Sequence, residues 1–352
     1  MEYVLGRHVK IARFGKGGLI GGGSKEQLIE DLDLWEKTVQ TAYCFIEPKD
    51  YEHARLELKK VISEEQFLYC YTFLLKYNFI IPAHYTESFE ENRYSRNYLH
   101  YQSYGADPEV VQEKLRKSKV VILGCGGIGN HTSAVLATAG VGEIVLVDDD
   151  EIEMSNLTRQ ILFTEDDVGS KKNAIMKREL LRRNSAISVS ELSLQIKTYK
   201  DLEHIPEADI WIVSADHPFN LINWVNKYCV TMNQAYINAG YVNDISVFGP
   251  LYIPGKTGCY ECQKVVASIY GSEKNDIDYQ IKAINSHFKP ATFAPVNNLA
   301  AALCAGDVIK FIGQYAEPLS LNKRIGIWTD ETKIHVQNMD RSPICSVCGC
   351  RM

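Results

Sequence analysis

The chain is short of the apolar segments that would take it to a membrane. Its start, MEYVLGRHVK, has no apolar core of the kind a secretory signal needs. The longest apolar stretch, LAAALCAGDVIKFIG from Leu299, is interrupted by Asp307 and Lys310. It is short for a bilayer span, and reads as a core helix. Positive charge is also lacking: 38 Lys and Arg face 44 Asp and Glu, giving a net charge of −6 and a pI of about 5.9. That balance argues against a nucleic-acid-binding surface. The expectation is a cytoplasmic protein with no nucleic-acid and no membrane partner. In a reducing compartment the ten cysteines are not expected to form disulfides, so their spacing matters more than their number.

What is present is a globular composition, 45% hydrophobic and 23% charged. The 352 residues are enough for two domains of about 150 residues each. The most informative stretch is Lys119–Asp150, KVVILGCGGIGNHTSAVLATAGVGEIVLVDDD. It reads as a strand (Val120–Leu123), a turn carrying Gly124, Gly126, Gly127 and Gly129, a helix to Ala139, and a second strand (Ile144–Val147). Glycines in such a turn allow a tight bend, a backbone bare enough to touch phosphate, and close packing of helix on sheet. The helix that follows directs free N–H groups and its positive dipole end into the turn. Asp148, 19 residues after Gly129, ends the second strand, where an acid takes a ribose hydroxyl.

A glycine turn alone is compatible with a nicotinamide cofactor. The next residues favour a triphosphate. Asp148, Asp150, Asn156, Arg159 and Lys172 fall within 25 residues. A hydride-transfer site has little use for these cations and the second carboxylate, whereas an adenylation site needs them as charge builds on the leaving pyrophosphate.

Further along, ADIWIVSAD is a near-continuous apolar strand, as a doubly covered parallel strand should be. Asp216 closes it at the carboxyl edge where open α/β sheets bind ligands, although an acid there could also cap the next helix. Two antiparallel strands are expected in AYINAGYVNDISVFGPLYIPG. Cys259 and Cys262 form one C-x-x-C pair, and Cys345 and Cys348 another. Two such pairs are a strong signal for a four-thiolate structural zinc. Cys44, Cys70, Cys125, Cys229 and Cys304 read as buried, inert thiols.

Residues 1–88 differ in character. An alternating segment with glycines at Gly15, Gly17, Gly18 and Gly21–Gly23 reads as a hairpin, and helical periodicity follows around Lys25–Cys44 and Ser63–Tyr77. Together these predict a small winged-helix-like α+β unit. Pro82–Gly105 is polar and aperiodic, and reads as a linker. A helix over Asp107–Lys117 leads into the nucleotide-binding strand.

The pattern G-x-G-G-x-G, D-x-D, S-N-L-x-R-Q and V-G-x-K-K resembles the ubiquitin-activating-enzyme superfamily of adenylating enzymes. Its simple bacterial relatives activate sulfur-carrier proteins. With the N-terminal extension, the whole chain resembles the branch that adenylates a short ribosomal peptide in microcin C biosynthesis. The fold implied is α/β: a doubly wound Rossmann-like adenylation domain with a mixed sheet over 89–352, and a peptide-recognition clamp over 1–88. The resemblance implies ATP and magnesium, with Asp216 on the magnesium, and a phosphate contact by Lys172. It also implies a homodimer in which Arg96, within RYSR, reaches the partner's phosphates. A crossover loop at about 265–292 would guide the substrate. The family's Thr-Asp-Asn is here Ala215-Asp216-His217, which leaves a role for His217 open. Asp216, Arg159, Lys172 and Arg96 are the expected catalytic residues. Gly124, Gly126, Gly127, Gly129, Asp148, Asp150 and Asn156 are expected to hold the nucleotide. The implied activity is adenylation of a terminal asparagine through a succinimide. Three readings remain beside it: activation of a ubiquitin-like sulfur carrier, a nicotinamide oxidoreductase, and a non-catalytic peptide scaffold.

Overall fold

The computed structural model describes residues 1–86, 92–263, 276–287 and 291–349. The chain divides into two compact units, Met1–Lys114 with Gly313–Ala316, and Leu115–Ile312 with Glu317–Met352.

The first unit holds β1 (Tyr3–Leu5), β2 (Lys10–Phe14), β3 (Gly17–Gly21), β4 (Gln27–Ile29), α1 (Leu32–Cys44), α2 (Tyr51–Leu58), α3 (Glu64–Lys76), β5 (Ile80–Pro82) and α4 (Ser95–Ser103), and α5 (Pro108–Lys117) begins in it. Strands β2, β3 and β4 form an antiparallel sheet, and β1 pairs with β5. The expected small α+β unit is therefore present. Its first helix starts later than the periodicity predicts, because Gln27–Ile29 pairs with β3 and Asp31 then caps α1 through the Leu34 N–H at 2.7 Å. Ser63 and Gln66 form a capping box at the start of α3. The core gathers Ile20, Trp35, Phe45, Phe67, Leu74, Phe79 and Ile80.

The linker reading of Pro82–Gly105 holds only in part. Ser95–Ser103 is helical, with Tyr98, Tyr101 and Gln102 buried. Its buried face is written in tyrosines three residues apart, so an aliphatic pattern does not reveal it. The Tyr101 ring lies 4.9 Å from that of Tyr315, centroid to centroid, within the same unit.

The second unit holds β6 (Lys119–Leu123), α6 (Gly127–Ala139), β7 (Glu143–Val147), α7 (Lys172–Arg183), β8 (Ser188–Leu192), β9 (Ile210–Val213), α8 (Leu221–Met232), β10 (Tyr236–Val242), β11 (Ile245–Tyr252), α9 (Asp276–Ser286), α10 (Ala294–Gly313), β12 (Lys323–Trp328) and β13 (Ile334–Asn338). Their sheet runs β13-β12-β11-β10-β9-β6-β7-β8. Strands β8, β7, β6, β9 and β10 are parallel, and β11, β12 and β13 join antiparallel. The chain winds outward from β6 through β7 to β8, then returns to β9 on the other side of β6. That reversal is the topological switch point where open α/β sheets bind ligands. The mixed, doubly wound sheet expected from the sequence is what forms.

Helix α10 contains the long apolar stretch. It is long and apolar enough to cross a membrane by length and composition, but Val296, Ala300, Ala301, Cys304, Ala305 and Val308 are buried in the protein core. Asp307, which interrupts the stretch, is fully buried. Its carboxylate accepts hydrogen bonds from the N–H groups of Leu319 and Ser320 and from the Ser320 hydroxyl, each at 2.7 Å. Asp307→Ala orphans these three donors. It is expected to cost about 3–5 kcal/mol, read as a lower urea midpoint at unchanged slope. An unchanged midpoint would show that the carboxylate does not anchor this turn.

Candidate active site

At the switch point the backbone of β6 turns away in Gly124, whose φ of +98° favours glycine. A Cβ on Gly124 would lie 2.7 Å from Ala215 N, and one on Gly129 would lie 1.9 Å from Gly124 O. The ends of β6 and β9 are therefore locked together. Ser214 strengthens the joint, its hydroxyl donating to Gly124 O at 2.9 Å. Gly126 is different: a Cβ there meets no atom within 4 Å. It is the glycine whose bareness serves the space in front of α6.

That space is a cleft of about 880 Å³ within the second unit. Gly124, Gly126, Gly127, Asp148, Asp150, Asn156, Arg159, Lys172 and Asp216 all line it. Gly129 does not line it; it is buried one turn into α6. Arg96 belongs to the first unit, where it is exposed.

The polar groups are held by their neighbours. Asp148 accepts the Cys125 N–H on one carboxylate oxygen at 2.6 Å and the Asp150 N–H on the other at 2.8 Å. Burial raises its pKa above the usual carboxylate value, and these N–H groups and Lys172 pull it back down. Asn173 ties the end of β7 to α7, its amide donating to Asp148 O at 2.9 Å and to Ser193 Oγ at 3.2 Å. Lys172 is buried and donates to Asp150 at 2.8 Å. The Arg159 guanidinium donates to Ser155 O at 3.0 Å. The Asp216 carboxylate is exposed and, among the described residues, has neither an ion-pair nor a hydrogen-bond partner. Cys125 sits in the turn but is fully buried, and burial with the nearby Asp148 holds its thiol well above the usual pKa. It is no nucleophile.

Sequence reasoning passed over several lining residues: Gln160, Leu194–Lys197, Ser214, Asn238 and Asn297. Gln160 stands inside the S-N-L-x-R-Q motif. Asn238 lies within β10, Asn297 near the start of α10, and the others in segments that follow strands, and none carries a local pattern. Residues 265–275 and 288–290 of the expected crossover loop lie outside the described residues. Within that segment, Asp276–Ser286 is helical.

The four cysteines of the two C-x-x-C pairs converge, and all four sulfurs lie within 4.8 Å of one another. The sulfurs lie 3.7 Å apart for Cys259–Cys345, 3.9 Å for Cys259–Cys262 and 3.3 Å for Cys262–Cys348. A tetrahedron with sulfurs about 2.3 Å from zinc has edges of about 3.8 Å, so the donor set fits zinc. All four positions would be filled by protein, which would make a zinc held there structural.

A doubly wound sheet with a glycine turn, an acid and cations around a cleft at its switch point defines a Rossmann-like nucleotide-binding protein. The chain belongs to the ThiF family, whose model matches residues 94–347. It is similar over its full length to solved structures of Escherichia coli MccB. One holds MccA-N7isoASN; identity is 70%, the match covers 99% of this chain and 100% of that one, and the TM-score is 0.95. Another holds ATP, with 68% identity, the same coverage and a TM-score of 0.93. The sulfur carrier protein ThiS adenylyltransferase of E. coli K12 is 34% identical over 154 residues, 43% of this chain and 60% of that protein. The family expected from the sequence is therefore the right one.

For the cysteine cluster, elemental analysis is expected to give about one zinc per chain, falling towards zero in Cys345→Ser with loss of thermal stability. Zinc-free wild-type protein with an unchanged melting point would defeat the assignment.

Proposed function

We propose that this chain uses ATP to adenylate the C-terminal asparagine of a short ribosomal peptide, as a cytoplasmic homodimer serving peptide–nucleotide antibiotic biosynthesis. The carrying observation is that the triphosphate-suited groups meet in one cleft, in a chain that matches MccB structures end to end. MccB has been solved with MccA, with ATP and with a succinimide.

The division of labour follows from the chemistry. The Gly124–Gly129 turn and the α6 N-terminus face the phosphates, and Asp148 takes the ribose hydroxyls. Lys172 and Arg159 neutralise phosphate charge, joined by the partner's Arg96, with Asn156 beside them. Asp216, with Asp150 in support, would hold magnesium, which when bound offsets charge on the triphosphate. The peptide carboxylate is already ionised at neutral pH and attacks the α-phosphorus directly. An O–P bond forms, the bond to the β-phosphate breaks, and pyrophosphate leaves. Catalysis is alignment plus electrostatic stabilisation.

The asparagine amide nitrogen then attacks the activated carbonyl, loses a proton and expels AMP, which closes a succinimide. The succinimide nitrogen, deprotonated, attacks a second ATP and releases pyrophosphate. Water opens the ring and leaves AMP on the peptide through an N–P bond.

Residues 1–88 act as the peptide clamp. Among the described residues β2 is an edge strand, exposed over most of its length, and its outer ladder suits the addition of an extended peptide. The alternative substrate is the C-terminal glycine of a ubiquitin-like sulfur carrier; that activity would survive deletion of 1–88. A nicotinamide oxidoreductase would bind NADH and show no ATP–pyrophosphate exchange. A scaffold would tolerate Asp216→Ala.

Mass spectrometry of an Asn-terminated peptide incubated with protein and ATP is expected to show a peptide–AMP product, with two pyrophosphates released for each. One pyrophosphate per product would remove the second half of the scheme. Arg96→Ala and Asp216→Ala homodimers are each expected to be inactive, and equal mixing to restore roughly a quarter of wild-type activity through one intact site per mixed dimer. No recovery in verified mixed dimers would place Arg96 in cis or outside the reaction.

The glycines separate folding from binding. Gly129→Ala is expected to destabilise the protein by about 1–3 kcal/mol or more through the clash with Gly124 O. Gly126→Ala, with open space around it, should melt like wild type yet bind ATP more weakly by calorimetry. Equal loss of stability in both would contradict this division.

A further inference from the structure

Among the described residues, the cations that line the cleft are Arg159, Lys172 and Lys197, and only Lys172 is paired with a carboxylate. Its ammonium donates to an Asp150 carboxylate oxygen at 2.8 Å. The Arg159 guanidinium donates to a neutral carbonyl, Ser155 O. The pairing follows from where Lys172 stands. It is buried and is the first residue of α7, at the positive end of the helix dipole. An ammonium in that place needs an anion beside it. The neighbouring Lys171 has its own partners: it donates to Asp149 O at 2.7 Å and lies 3.5 Å from the Asp149 carboxylate and 3.7 Å from that of Glu151.

The two backbone segments that carry the pair are zipped together. Lys172 N–H donates to Asp150 O at 3.1 Å, Ile152 N–H to Ser170 O at 2.9 Å, and Gly169 N–H to Ile152 O at 2.8 Å. With the backbone fixed, the pair parts by side-chain rotation. The Asp150 side chain is 68% exposed and can turn into water, whereas that of Lys172, 10% exposed, is held in place. A phosphate oxygen entering the cleft thus meets a lysine whose position is set and whose partner can leave. The ammonium has N–H groups for both, but holding both would press a phosphate and a carboxylate together at short range.

We propose that Asp150 is an internal competitor for phosphate at Lys172. It holds the ammonium in the empty cleft, yields it to the triphosphate, and takes it back once pyrophosphate has formed, which speeds pyrophosphate release. The proposal rests on the adenylation reading above and deepens it, because a scheme that uses two ATP must clear pyrophosphate twice for each product. Asp150 acts here through Lys172, as a positioning residue. Asp148 cannot take this part, since backbone N–H groups hold both of its oxygens. The affinity for phosphate is then reduced by the fraction of time that Lys172 is free.

Calorimetric titration of the full-length protein with inorganic pyrophosphate and with ATP tests this. EDTA in the buffer keeps any contact of Asp150 with magnesium out of the reading. Asp150→Asn keeps the side-chain shape and removes the charge. It is expected to bind both ligands roughly threefold to tenfold tighter than wild type. Asp149→Asn removes the same charge one residue away, from a carboxylate that also lines the cleft but pairs with Lys171. At physiological ionic strength it is expected to change either affinity by less than about twofold. In a Lys172→Gln background, Asp150→Asn is expected to bring no gain. Asp150→Asn is also expected to be inhibited by added pyrophosphate at lower concentrations than wild type. The competitor is overturned if Asp150→Asn binds no tighter than wild type, or if Asp149→Asn gains as much. It is overturned too if the gain survives in Lys172→Gln, because Asp150 then acts through its charge on the whole cleft. The comparison of the two aspartate variants involves no buried side chain, so it stands whether or not the lysine variant folds. Wild type that binds neither ATP nor pyrophosphate sinks the adenylation reading; wild type that binds both, with Asp150→Asn unchanged, sinks the competitor alone.

Discussion

The second unit depends on how closely two strand ends approach at the switch point. Gly129 and Gly124 touch through a Cβ-less contact, Ala215 lies against Gly124, and Ser214 bonds to Gly124 O. This approach brings the N-terminus of α6 against the end of β9. It therefore sets Gly126 and Gly127 in the same cleft as Asp216, although the two are far apart in sequence. A helix N-terminus binds anions only if its N–H groups face open space. Here the glycines that pack are distinct from the glycine that stays bare. Stability and binding are assigned to different positions of one short motif.

Electrostatics in the cleft follow from that frame. A buried lysine is costly unless paired, and Lys172 is 8% exposed, so it keeps Asp150 as its partner. Asp150 itself is exposed and well solvated, which makes the pair easy to exchange for phosphate oxygens. Asp148 is fixed instead by backbone N–H groups, which cannot swing away. The side chain read as a ribose acceptor is thus rigid, and the one read as a phosphate contact is held by an exchangeable partner. That difference suits a site that must close on a triphosphate and release pyrophosphate.

Much of this was legible in the chain itself, for physical reasons. The glycine turn, the acid after β7 and the cations before α7 lie within one βαβ unit, where local spacing maps directly onto three-dimensional proximity. The two C-x-x-C pairs were legible because metal ligation fixes both residue type and local spacing. The helix over Ser95–Ser103 was missed because its buried face is tyrosine set in a polar segment. Asn238 and Asn297 were missed because their place in the cleft is tertiary: one bonds across to β9, and the other stands near the start of a helix far along the chain. No periodicity or spacing encodes side chains that reach one cleft from a distant strand and a distant helix.

The unread residues line the same cleft as the motif residues. A compact motif meets the charge of a triphosphate with backbone and side chains that are close in sequence, so local spacing reveals it. The rest of the cleft is closed by side chains from other strands and helices, and those are brought there by packing alone. Asn297 is such a position: it stands far along the chain, yet it packs on Gly127 and bonds to Thr292. A change of helix α10 would therefore be felt at the glycine turn, although no motif links the two.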